Sequence, residues 1–379
     1  MIRDRLLVVT ALGALAAVLA PACSEDVASS PTTSSSSSGT GGEGGATTTS
    51  SSSGGAGGTG GDGGAGGASP PITCEVTPTT GVVLALSKLY IGNKDPDDTP
   101  NEANGWRQYG FDIDGLISTD QSQDLCQPNS GAPPSTPYPD GDAGIDNSFG
   151  RNILPILLSL DENADVLIND TLQAGEGTLL LHLADLGPDA DQAPIAARLY
   201  GGAKTAATPV FDGADCWPVS PESLQDPADI TTPRVSFDQS ALAGNAWTSG
   251  STGTVVLSLP VAGFPLVLTI HEARLTFNLS ADHVSAGGGQ LGGVLDTEEF
   301  AAAIRTLAGS FDASLCDGAA LEGILAQIRQ ASDILADGTQ DPAVTCSGIS
   351  IGLGFELSQV SLGSIAPITP PAPDPCAAP

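Results

Sequence analysis

ISIGLGFELSQV, residues 349–360, is the stretch whose reading decides the fold. Ile349, Ile351, Leu353, Phe355 and Leu357 share one parity. Ser350, Gly352, Gly354, Glu356 and Ser358 share the other. Side chains of a strand point alternately to its two faces, so this pattern reads as a half-buried antiparallel strand. GVVLALSKLYIG (81–92) and TVVLSLPV (254–261) read the same way. GTLLLHLADL (177–186) is apolar on both parities and reads as a central strand. In FPLVLTIHEARLTFNLS (264–280) the apolar phase changes. Leu266, Leu268 and Ile270 keep one parity, whereas Ala273, Leu275, Phe277 and Leu279 keep the other. One extra residue near His271-Glu272, as in a bulge, accounts for the change.

Helical spacing is rarer. In TEEFAAAIRTLAG (297–309), Phe300, Ile304 and Leu307 follow one face, with Asp296 placed to cap and Glu299 three residues on. ALEGILAQIRQASDILA (320–336) carries Leu321, Ile324, Leu325, Ile328 and Leu335 at helical spacing. These two form a single insertion between strands. NILPILLSLDENADVLIND (152–170) is a third candidate, interrupted near Pro155. The fold expected is mainly β, a β-sandwich or barrel-like antiparallel core with two or three packed helices, and α+β is the alternative. It occupies residues 74–366, as one body or as subdomains near 74–225 and 226–366. Residues 367–379 are a proline-rich, extended tail.

The N-terminal part is of another kind. Arg3 and Arg5 precede an apolar run over residues 6–20, too short for a membrane span and suited to an export signal over residues 1–22. Residues 24–71 are almost wholly Ser, Thr, Gly and Ala and lack the apolar surface that would offset ordering. They read as a flexible tether with a mean reach of ~40 Å. Without the signal the chain keeps 10 basic and 43 acidic residues, a net charge of −33. A chain this acidic repels nucleic acid and is not a nucleic-acid binder.

Ala20-Pro21-Ala22-Cys23 suits ordinary signal peptidase, which leads to plain secretion. It also resembles the lipobox of bacterial lipoproteins. That resemblance implies that Cys23 is acylated and becomes the mature N-terminus. Ser24 implies sorting to the outer membrane, with the membrane as partner through the lipid alone. Six cysteines then remain, Cys74, Cys126, Cys216, Cys316, Cys346 and Cys376, enough for three disulfides in an oxidising compartment. None is spaced C-x-x-C, which argues against a zinc or thioredoxin-like site. Cys316–Cys346 is the first pairing expected, because the two bracket a helical segment; Cys74–Cys376 is a weaker one.

YPDGDAGIDNSFG, residues 138–150, raises the question of chemistry. Asp140, Asp142 and Asp146 alternate among glycines, as in the calcium loops of EF-hand-like and thrombospondin-type repeats. Calcium takes six to eight hard oxygens. Gly144 stands at loop position five and Arg151 at position twelve, so this is not an EF-hand. A site here needs other loops, and Asp112, Asp114, Asp95, Asp97 and Asp98 are the candidates. Two readings compete: a polar turn with Asn147-Ser148 capping a helix, and a catalytic carboxylate pair in an exported polysaccharide hydrolase. No G-x-S-x-G elbow or phosphate loop occurs, and the H-E-x-x-H match at His271 fails at Leu275. His182 reads as a core residue. Trp106, Trp217 and Trp247 read mostly as core, with a sugar platform as the alternative.

The stalk, WRQYGFDIDGLIST (106–119) and DGDAGIDNSFGRNILPIL (140–157) together resemble secreted or lipid-anchored proteins of myxobacteria. The resemblance covers most of the chain. It implies location and no mechanism. The expectation is a non-enzymatic, outer-membrane-tethered binding or structural domain, with calcium as its only cofactor.

Overall fold

The computed structural model describes residues 74–368 and residue 376, apart from positions 130, 262–263, 312–314 and 317. Ten strands form one sheet. They are β1 Val82–Tyr90, β2 Thr178–Ala184, β3 Gln192–Gly202, β4 Cys216–Val219, β5 Val235–Ala243, β6 Ala246–Thr248, β7 Gly253–Val261, β8 Phe264–Leu279, β9 Ser285–Asp296 and β10 Gly348–Ile365. Among the described residues four α-helices accompany them: α1 Leu154–Leu160, α2 Ala164–Gln173, α3 Thr297–Phe311 and α4 Ala319–Gln330. The mainly β expectation holds, with one helix more than the sequence suggested.

The sheet closes on itself. Antiparallel pairing runs β1–β2–β3–β5–β6–β8–β9–β10, and β10 returns to β1 through Val83↔Val360 to Tyr90↔Gly354. Closure removes the edges of this ring, while β7 pairs with β8 off it. Strands from both sides of residue 225 share this one ring, β1 to β3 from before it and the other five from after it. β4 crosses one end of it, parallel to β10 and meeting β3 at Gly202↔Val219. The core includes Leu84, Leu181, Phe237, Trp247, Phe277 and Phe355. Trp247 stacks on Phe277 with ring centroids 4.6 Å apart. The same core runs on into α3 and α4 through Phe300, Ile304, Leu321 and Ile328.

The phase change in β8 is real. Glu272 has φ of 48° and the pairing with β9 slips between His271 and Arg274. Leu266, Leu268 and Ile270 before the slip, and Ala273 after it, are all fully buried. α3 begins as its cap predicts: Asp296 Oδ1 accepts from Glu298 N at 3.0 Å and Glu299 N at 2.9 Å. α3 and α4 are inserted between β9 and β10.

Two expectations need correction. The third helical segment is not broken at Pro155, which sits in the first turn of α1, where a proline costs no hydrogen bond. A π-helical turn, Phe149–Ile153, leads into α1, and the break falls at 161–163. The first half of β10 is not half-buried: Gly348 to Phe355 are buried on both faces. Its glycine face is covered by a loop. A Cβ on Gly352 would run into Tyr109 O and stand 2.6 Å from Tyr109 C and 2.8 Å from Gly110 Cα. Glycine here admits another backbone rather than a turn.

The disulfides are Cys74–Cys216, Cys126–Cys346 and Cys316–Cys376. The expected Cys316–Cys346 bridge, and Cys74–Cys376 with it, are therefore wrong. Bracketing a helix says nothing about where its ends lie. Cys316, ahead of α4, meets Cys376, while the lead into β10 carries Cys346 to the loop around Cys126.

Candidate functional site

The covering loop is the floor of the acidic end. Asn147 fastens it. Its Nδ2 donates to Trp106 O (3.0 Å), Tyr109 O (3.2 Å) and Gly352 O (3.0 Å). Its Oδ1 accepts from Gly150 N (2.9 Å) and Gly352 N (3.0 Å). Asn147 thus caps the helical turn that follows and ties it to β10. Asp146 N donates to Phe111 O at 2.9 Å, and Gly110 N to Gln290 Oε1 on β9 at 2.9 Å.

This fastening brings Asp112, Asp114 and Asp146 together. Each offers an oxygen, and the three oxygens lie within 4.8 Å of one another. Asp112 is exposed, Asp114 half-buried and Asp146 buried. Asp146 Oδ2 accepts from Ile113 N (2.6 Å) and Asp114 N (3.3 Å). Asp112 Oδ1 accepts from Gly115 N (2.7 Å), and Asp114 Oδ1 from Leu116 N (2.8 Å). Two members expected at the site stand apart from this trio. Asp142 pairs with Arg107 Nε at 3.0 Å, because Ala143 takes a left-handed turn (φ 56°) that leaves its neighbour outside. Asp140 lies behind the trio, its Oδ2 accepting from Ser118 N at 2.5 Å. Asp95, Asp97 and Asp98 belong to a separate loop: Asp95 accepts from Asn101, Asp97 from Thr99 N, and Asp98 pairs with Lys88.

Sequence reasoning missed Asp333 and Gln340. Gln340 Nε2 donates to Asp114 Oδ2 at 2.7 Å and to Asp333 O at 3.0 Å, while its Oε1 accepts from Cys126 N at 2.9 Å. Asp333 accepts from Ser350 N (2.8 Å) and Ser350 Oγ (2.5 Å). Both residues come from the lead into β10, which the Cys126–Cys346 bridge fastens to the acidic loop. A pairing of Cys126 with Cys346 was the one signal that would have joined the segments.

The electrostatics are those of crowded, buried acids. Burial, then Asp114 and Asp333, pushes Asp146 up to about 9. Burial first, then Asp114 and Asp112, pushes Asp140 up to about 7. Burial also pushes Asp333 up to about 7 and raises Asp114. Among the described residues no lysine or arginine forms an ion pair with Asp112, Asp114, Asp146 or Asp333. Arg151, whose charge opposes the rise at Asp140, donates to Pro139 O (2.8 Å) and Ser135 O (2.9 Å). Buried carboxylates in this state need protons or a cation.

The other candidates are structural. His182 is buried, and its Nε2 lies 2.8 Å from Thr80 O. Trp106, Trp217 and Trp247 are 6%, 0% and 0% exposed. Cys23, the signal and the stalk lie outside the described residues, as does most of the proline-rich tail. Neither a family model, nor a curated protein, nor a solved structure matches this chain.

Proposed function

We propose that this chain is an exported domain held on the outer membrane by a lipid on Cys23, acting by binding or as structure rather than by catalysis, with its acidic loops set by one calcium ion. One observation carries the metal: Asp112, Asp114 and Asp146 converge, with Asp146 buried and no basic side chain paired to any of them. An all-oxygen donor set is that of a hard cation, and a loop of this irregular kind suits calcium better than the strict octahedron of magnesium. Three disulfides support export to an oxidising compartment.

Thermal unfolding of the full mature chain in calcium and in EGTA tests the metal. A ligand at 100 times its Kd adds ~2.7 kcal/mol, a rise of a few degrees for a body this large. The rise is expected in the wild type and not in Asp112→Asn/Asp146→Asn. An equal melting temperature in both media counts against calcium. Detergent partitioning of wild type against Cys23→Ser tests the lipid.

A polysaccharide hydrolase is the second reading. It draws on Asp140, raised toward neutrality beside the less buried Asp112. The tryptophans such a site would use as ring platforms are spent in the core. Release of reducing sugar by wild type and not by Asp140→Asn would establish it.

A further inference from the structure

Among the described residues, the N-terminal lead of the folded body, residues 74–81, is held by one covalent bond and three hydrogen bonds. Thr77 N donates to Leu362 O (2.8 Å), Thr77 Oγ1 donates to Gly363 O (3.1 Å), and Thr80 O meets His182 Nε2 (2.8 Å). Cys74 itself is bridged to Cys216, the first residue of β4. The fit depends on glycine at 363. A Cβ there would run into Cys74 Sγ and come within 2.6 Å of Trp217 O.

What the bridge joins is informative. On one side the lead becomes β1, which pairs with β10 over its length and with β2 over Val82 to Ala85. On the other side β4 pairs with β10 through Ser361↔Cys216, Leu362↔Trp217 and Ile365↔Val219, and Trp217 beside the bridge is fully buried. Tension on the chain ahead of residue 74 therefore enters two strands at once, both hydrogen-bonded to β10. Without the bridge it would act on three lead contacts first and then on β1 alone.

We propose that the Cys74–Cys216 bridge, seated on Gly363 between β1 and β4, is the mechanical root of the tether, so that pull on the stalk meets the closed sheet and does not peel the lead. This rests on the reading that residues ahead of 74 tie the domain to a surface. The measurement below concerns the purified protein, so failure of the root and failure of the lipid anchor are told apart.

The test is single-molecule pulling on the full mature chain. It is held by its N-terminal end and by an azide-bearing residue in place of Ala343, exposed in the loop before β10. Yielding under load follows the unfolding rate. The wild type is expected to yield in one step. Cys74→Ser/Cys216→Ser is expected to yield in two, the first at lower force with a lengthening on the order of tens of ångströms, the reach of the lead and β1. Cys316→Ser/Cys376→Ser, which opens a bridge away from the root, should keep the wild-type first step. If the root variant yields like the wild type, or the control weakens as much, the proposal fails. Should the root variant not fold, Cys316→Ser/Cys376→Ser, in which two bridges remain, is folded first and then mildly reduced. Cys74 and Cys216 are half-buried, while Cys126 and Cys346 are 0% and 3% exposed, so the root opens first. Reduction that leaves the first step unchanged overturns the proposal equally.

Discussion

Asn147 holds five backbone groups with one amide, and the acidic end depends on it. It is 2% exposed, so water cannot replace what it gives. Asn147→Ala would take the acceptor from the N–H groups of Gly150 and Gly352 and a donor from three carbonyls, of which Trp106 O keeps Tyr109 N. At ~1–3 kcal/mol for each buried group left unsatisfied, with partial relaxation, we expect a loss of roughly 3–5 kcal/mol. Urea unfolding measures it; a loss under 1 kcal/mol would mean the loop does not need this amide. Asp146 makes a different kind of prediction. Its carboxyl is pushed from 3.8 to about 9. A raised acid stabilises the fold below its unfolded value and loses that contribution as pH climbs through the folded one. In EGTA, then, melting temperature should fall as pH rises from about 5 to about 9, and Asp146→Asn should flatten the fall. Calcium should oppose it, because ionised carboxylates bind the ion. An unchanged slope in the variant removes Asp146 from the account.

At the scale of elements, β10 organises the acidic end through what it lacks. Its apolar parity faces the core, as alternation requires. On its other parity Gly352 and Gly354 leave bare backbone, on which Tyr109 and Gly110 lie. Gly352→Ala puts a methyl where Tyr109 O stands, and the neighbour is main chain, not a side chain that can turn away. The loop must lift. We expect a loss of more than about 2 kcal/mol, together with loss of the calcium response, since Asp112 and Asp114 ride on that loop. Retained calcium-dependent melting in Gly352→Ala would show that the loop and strand are independent. Much of this element was legible: the strands, the bulge at Glu272 and the cap at Asp296 are all local patterns. That Gly352 and Gly354 would be covered was not, because absence of a side chain reads alike for an open face and a crowded one.

The described body is a closed sheet stapled at three places. Cys126–Cys346 spans 220 residues and joins the acidic loop to the lead of β10. Removing such a bridge costs about 2–5 kcal/mol through the freedom returned to the unfolded chain. Cys126→Ser/Cys346→Ser should show that loss in denaturant midpoint. It should also weaken the calcium response, because Gln340 and Asp333 would no longer be held against Asp114. A full calcium response in this variant would mean that the trio of aspartates forms without the staple.

Period-two alternation, helical spacing, a cap and a composition shift are properties of neighbours in the chain. The sequence therefore determined by itself the mainly β body, its helical insertion and the acidic loops, with Asp112, Asp114 and Asp146 among the residues it offered. Only the tertiary structure decided which strand closes on which, which cysteines meet, and that Asp142 turns outward while Asp333 and Gln340 turn in. Those are contacts across 226 positions between Asp114 and Gln340, and across more still where β1 meets β10. They depend on how the closed sheet brings distant loops to one end, and no local pattern encodes that.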